Sequence, residues 1–86
     1  MTQRKLAPQT LAILRHLNNV GSISNVEAQA LYKCRALPRR IADLKDTLGS
    51  GAIVRALKRD ATGQRYARYS ITDHGRNAMA DFALHA

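Results

Sequence analysis

Between Lys33 and Arg68 the chain holds ten of its 14 basic residues and three of its six acids, Asp43, Asp46 and Asp60, so seven of its eight net positive charges belong to this stretch. Seven of the ten are arginine: Arg35, Arg39, Arg40, Arg55, Arg59, Arg65 and Arg68. A guanidinium presents a planar fork of donors that matches paired phosphate oxygens or the O6 and N7 edge of guanine, which a lysine ammonium does not. A net charge of +8 on so short a chain, with a pI near 10.6, sets up a positive field that draws polyanions. Nucleic acid is the commonest of these. A membrane surface is the rival, but it calls for basic residues along an amphipathic segment beside bulky apolar anchors, and the sequence has no such segment.

Other chemistry finds little footing. His16, His74 and His85 are scattered, and no serine or cysteine has a base placed by a motif, so no catalytic residue is expected and the chain reads as non-enzymatic. The single cysteine, Cys34, makes no internal disulfide and has no partners at zinc spacing; it is expected to be a small packing residue in a reducing compartment. No metal and no cofactor are expected. The start MTQRKLAPQTLAILRHL sets basic residues before apolar ones, yet Arg15 and His16 break the run and no small-residue cleavage pattern follows. The expectation is a cytoplasmic protein without a transmembrane span.

The elements that must position these arginines can be read from local signals. Eighty-six residues make one domain at most. Residues 1–6 are polar and basic and read as a flexible arm, with 7–86 as the domain. Aromatics are scarce, so the core is expected to be Leu, Ile, Val and Ala. Pro8 suits a first helical turn, and Leu11, Leu14 and Leu17, with Ile13 beside them, repeat at helical spacing, predicting a first helix over about 8–18 that Asn18-Asn19-Val20-Gly21 ends. Ser22 and Ile23 suit a very short strand. Ser24 with Glu27 three residues on fits a capping box, which predicts a second helix over about 25–32 whose apolar side uses Val26, Ala28, Ala30 and Leu31.

Pro38 then marks the front of a third helix beginning near Ala36, because a proline is tolerated where the first N–H groups lack intrahelical partners. Only Lys33, Cys34 and Arg35 separate it from the second, which is the spacing of a helix-turn-helix. Leu37, Ile41, Leu44 and Leu48 form its apolar stripe, Arg35, Arg39, Asp43 and Asp46 lie opposite, Arg40 is on the flank, and Gly49 and Gly51 stop it. Two β-rich runs, about 52–58 and 64–71, flank Arg59-Asp60-Ala61-Thr62-Gly63 as a hairpin, with Ala67, Tyr69 and Ile71 facing inward. Thr72 can cap a last helix to about residue 84, with Asp73 at its positive end and Ala78, Met79 and Phe82 along one side.

The run GSISNVEAQALYKCRALPRRIADLKDTLGSGAIVRALKRDATGQRYARYSI, with its EA…LY second helix, RRIADL third helix and RYARY strand, resembles the small winged helix-turn-helix domains of bacteriophages and prophages. YSITDHGRNAM is similar to the junction between wing and last helix in the MarR and PadR groups of bacterial regulators. The resemblance covers roughly residues 21–80 and implies a mainly α fold with a small β-hairpin, in the order α-β-α-α-β-β-α. It further implies that the third helix enters the major groove of double-stranded DNA, with Arg35 and Arg39 toward base edges and Lys33, Arg40 and Asp43 beside them. The wing residues Arg55, Lys58, Arg59, Gln64, Arg65 and Arg68 then meet the backbone.

Plainer alternatives stand beside these expectations. Arg39 would pair with Asp43 at i, i+4 on a solvated face, and the charged hairpin would serve only to protect a sheet edge. Met79 and Phe82 either close the core or pair two copies into a homodimer. Asp43 and Asp46 on the exposed face also keep open a different class of function, in which a winged-helix adaptor binds a host or phage protein partner instead of a DNA site. On the DNA reading the protein is a phage-type transcriptional regulator or an accessory factor in phage DNA transactions.

Overall fold

A computed structural model describes residues 6–85 of the chain, with side chains described to residue 81. Of the arm expected over residues 1–6, residues 1–5 lie outside the described residues, as does the side chain of Phe82. The elements run α1 (Pro8–Val20), β1 (Ser22–Ser24), α2 (Asn25–Tyr32), α3 (Leu37–Leu48), β2 (Ile53–Arg59), β3 (Arg65–Ile71) and α4 (Asp73–His85). This is the expected order, mainly helical with a small antiparallel sheet.

Each boundary has a local cause. Pro8 opens α1, which runs two residues past its expected end because Gly21, at φ 100°, caps it by donating its N–H to the Leu17 carbonyl. The α2 capping box is formed on both sides: Ser24 N–H donates to Glu27 Oε1 at 2.9 Å, and Glu27 N–H donates to Ser24 Oγ at 3.3 Å. Pro38 lies in the first turn of α3, whose last N–H bond comes from Gly49 to Lys45 O. Thr72 caps α4, its Oγ1 accepting the Gly75 N–H at 3.0 Å.

β3 is the middle strand of a sheet ordered β1-β3-β2. Its register sets Ile23 against Tyr69 on one side, and Ile53 against Ile71 on the other. These four residues, with Ile13, Leu14 and Leu17 from α1 and the stripe Leu37, Ile41, Leu44 and Leu48 from α3, make the core. Leu6 packs against its edge. Tyr69 and Ile71 are buried and Ala67 half-buried, the inward face expected for this strand.

The apolar side expected for α2 is not the one found. Ala28 is buried, but Val26 is 74% and Leu31 60% exposed, and Ala30 is exposed as well. Residues 26, 28 and 30 alternate, and at 100° per residue alternate positions fall on opposite sides of a helix, so Ala28 cannot be buried together with Val26 and Ala30. Tyr32, not Leu31, packs back on the core. Its hydroxyl meets Nδ1 of the buried His16 at 2.8 Å, with the two rings edge to face, fastening the end of α2 to α1.

Candidate nucleic-acid interface

Four residues, 33 to 36, separate α2 from α3. Lys33 takes the left-handed conformation at φ 53°, and the turn closes on bonds from its N–H to Gln29 O (3.0 Å) and from Cys34 N–H to Ala28 O (3.1 Å). Cys34 is buried and anchors the turn in the core, a packing role. Lys33, Arg35 and Arg39 are left exposed along the turn and the first turn of α3, on the side away from the buried stripe. Arg40 leans toward α1 instead: its Nη1 donates to Asp43 Oδ2 at 3.2 Å and to Thr10 Oγ1 at 3.4 Å. The acid thus pairs with Arg40 at i, i+3, not with Arg39, because Arg40 lies between Asp43 and the buried Thr10 on one flank.

The hairpin projects beyond the core, and from Val54 outward every residue of β2 is exposed. Its register puts Arg55, Leu57 and Arg59 on the face of Ile53, opposite Tyr69, Ala67 and Arg65; Val54, Ala56 and Lys58 share the other face with Ser70, Arg68 and Tyr66. Arg59 and Arg65 form the last rung. Beyond it the loop closes on Asp60, whose Oδ1 accepts from Thr62 Oγ1 (2.6 Å), Thr62 N–H (2.9 Å) and Gln64 N–H (3.0 Å), while Gly63 turns at φ 84°. The Thr62 hydroxyl bond, joined by the loop N–H groups, holds the Asp60 carboxyl below its usual range. The wing's one acid is therefore directed into its own loop, and Arg55, Lys58, Arg59 and Arg65 are left exposed around it.

A helix-turn-helix is followed by a hairpin wing and a closing helix, and residues 8–74 match the family described as the winged helix-turn-helix domain. The chain belongs to that family. No curated protein and no solved structure shows a significant match to it. A winged helix-turn-helix domain is typically a DNA-binding, non-enzymatic domain, with its second motif helix as the recognition helix; here that helix is α3.

Within this winged helix-turn-helix domain the expected contact residues fall into two sets. Lys33, Arg35 and Arg39 on the turn and the front of α3, and Arg55, Lys58, Arg59, Gln64 and Arg65 on the wing, are exposed. Arg40 and Arg68 are half-buried and engaged within the domain. Arg68 Nη1 lies 2.9 Å from both Glu27 Oε1 and Ser22 Oγ, and its guanidinium sits 5.9 Å from the centre of the Tyr66 ring. The capping-box spacing revealed Glu27, but nothing in the spacing told that its carboxylate also reaches the wing strand.

The last helix is fastened to the first. Arg76 Nη1 donates to Asn18 O at 2.8 Å, a cation set against the negative C-terminal end of α1. Met79 and Ala78 pack half-buried on the core. Among the described residues no group of His, Cys, Asp or Glu is arranged to hold a metal, and no helix is long and apolar enough to cross a membrane.

Proposed function

We propose that the protein is a sequence-specific double-stranded DNA-binding protein, not an enzyme, that sets α3 in the major groove and lays its wing on the adjacent backbone. The observation that carries this reading is the Arg59–Arg65 rung, two exposed arginines directly opposite each other with the neighbouring Asp60 turned into the loop. Like charges so placed cost stability, and a phosphate between them relieves the repulsion on binding. Arg55, Lys58 and Gln64 extend that contact. On α3, Arg35 and Arg39 take base edges, with Lys33 and Arg40 toward phosphate and Asp43 orienting Arg40.

The biological role follows from the resemblance of the RRIADL and RYARY segments to phage and prophage domains: a cytoplasmic transcriptional regulator or an accessory factor in phage DNA transactions. A homodimer through Met79 and Phe82 of α4 would set two recognition helices about one DNA turn apart and call for an inverted-repeat site. One observation favours a second reading, an adaptor for a host or phage protein partner: Val26 and Leu31 stand 74% and 60% exposed on α2. Binding to a pool of random duplexes at about 150 mM salt, with sequencing of the retained DNA, separates the two. Enrichment of a short motif supports the regulator. Weak binding that vanishes with salt and enriches nothing overturns it in favour of the adaptor.

A further inference from the structure

Arg68 lies in the middle strand, its Cα paired with Ser24 of β1 on one side and with Ala56 of β2 on the other. Its Nη1 reaches Glu27 Oε1 and Ser22 Oγ, both at 2.9 Å. The same Glu27 oxygen accepts the Ser24 N–H at 2.9 Å. One carboxylate oxygen is thus shared between the cap of α2 and the guanidinium of the wing strand, and β1, α2 and β3 meet at it. Burial alone would raise the Glu27 pKa, but the Ser24 N–H and the Arg68 charge outweigh it and hold the carboxyl below its usual range, so Glu27 is a carboxylate at neutral pH. Arg68 and Glu27 side chains are 27% and 37% exposed, whereas Arg59 and Arg65 at the tip of the wing are exposed.

We infer that Arg68 is a positioning residue: with Glu27 it clamps the base of the wing to the first helix of the helix-turn-helix, and it serves DNA binding through Glu27, not by touching DNA. To reach a phosphate it would have to abandon two short charge-assisted or hydroxyl contacts and its place beside Tyr66. Held where it is, it fixes β3, and with it the β2–β3 wing, relative to α2, which the short turn at 33–36 connects to α3. The inference rests on the DNA-binding reading.

A double-mutant cycle in DNA affinity tests it, on the full chain with a duplex retained from the random pool and at a temperature where melting curves show every variant folded. Glu27→Ala makes the protein one unit more positive, so electrostatics alone would tighten binding; the clamp requires it to weaken binding about three- to ten-fold. Arg68→Ala should weaken binding by a similar factor, and the double variant no more than the worse single one. Arg59→Ala, which touches neither residue, should cost less in the Arg68→Ala background than in the wild type, a coupling that general destabilisation of a folded protein does not produce. If Arg68→Ala costs the same with and without Glu27, or Glu27→Ala tightens binding, Arg68 touches DNA directly and the clamp is overturned while the DNA reading stands. If the wild type retains no duplex, both fall.

Discussion

Arg59 and Arg65 face each other across the last rung of the β2–β3 ladder, both exposed and on the same face of the wing. Like charges directly opposite in an antiparallel pair destabilise it by about 0.2–1 kcal/mol. Replacing Arg65 by Thr should therefore raise the stability of the free protein by about 0.5 kcal/mol and weaken DNA binding together. Melting at low and high salt checks the first half: added salt, by screening the rung, should stabilise the wild type more than the variant. A variant that melts lower at both salts would mean that the rung is not repulsive.

Asp60 gives the wing a pH dependence of definite sign. Its folded-state pKa lies below the ordinary 3.8, because the Thr62 hydroxyl and the loop N–H groups favour the carboxylate. A depressed carboxyl pKa contributes order that is present above the unfolded value and is lost as pH falls through the folded one. The amide resonances of Thr62 and Gln64, whose N–H groups donate to Asp60, should hold steady at neutral pH and titrate with a midpoint below 3.8. In Asp60→Asn that titration should vanish. A midpoint at or above the ordinary value would show that the loop does not close on the carboxylate.

Gly75 is the most tightly enclosed of the five glycines. A Cβ there would overlap the Ala52 carbonyl oxygen and stand 2.8 Å from Ile71 Cγ1, so the entry of α4 would have to move off the end of β2. Ala52 is itself tied down, accepting the Thr72 N–H at 2.9 Å. Gly75→Ala should cost about 2–3 kcal/mol, the upper part of the range for overpacking, measured by urea unfolding. The comparison is Ala78→Gly, also on α4, which loses helix propensity and a half-buried methyl, about 1 kcal/mol. Equal costs for the two would mean that α4 adjusts freely at its start.

What the sequence makes legible and what it hides divide along one physical line. Signals that act within an element were readable: Pro8 and Pro38 at helix fronts, the Ser24–Glu27 capping box, the Leu37–Ile41–Leu44–Leu48 stripe, and Asp60 with Gly63 in the hairpin loop. Partnerships between elements were not. Spacing cannot tell that Arg40 turns to Thr10 across 30 positions or Arg68 to Ser22 across 46, because side-chain reach between elements is set by how they pack. His16 looked like one of three scattered histidines, yet it is buried against Tyr32. On α2 the difficulty was different: alternating apolar residues imitate a face that a helix does not have.

The pairing of Asp43 with Arg40 decides what Arg39 is available to do. With that acid committed at 3.2 Å to its neighbour, Arg39 stands exposed at the front of α3, and no side-chain hydrogen bond or ion pair to another described residue ties it down. A bidentate contact from arginine to guanine is worth about 1–3 kcal/mol of discrimination, while a phosphate contact gives affinity to every sequence alike. Arg39→Ala should therefore lower affinity for a selected site by about ten-fold or more and leave random DNA nearly unchanged. Arg59→Ala should weaken both and reduce the slope of log affinity against log salt by about one. Affinities of both variants for a selected and a scrambled duplex, across a salt series, provide the check. Should Arg39→Ala lose equally on both duplexes, its guanidinium belongs on the backbone, and base reading would have to come from Arg35 or from the shape of the site.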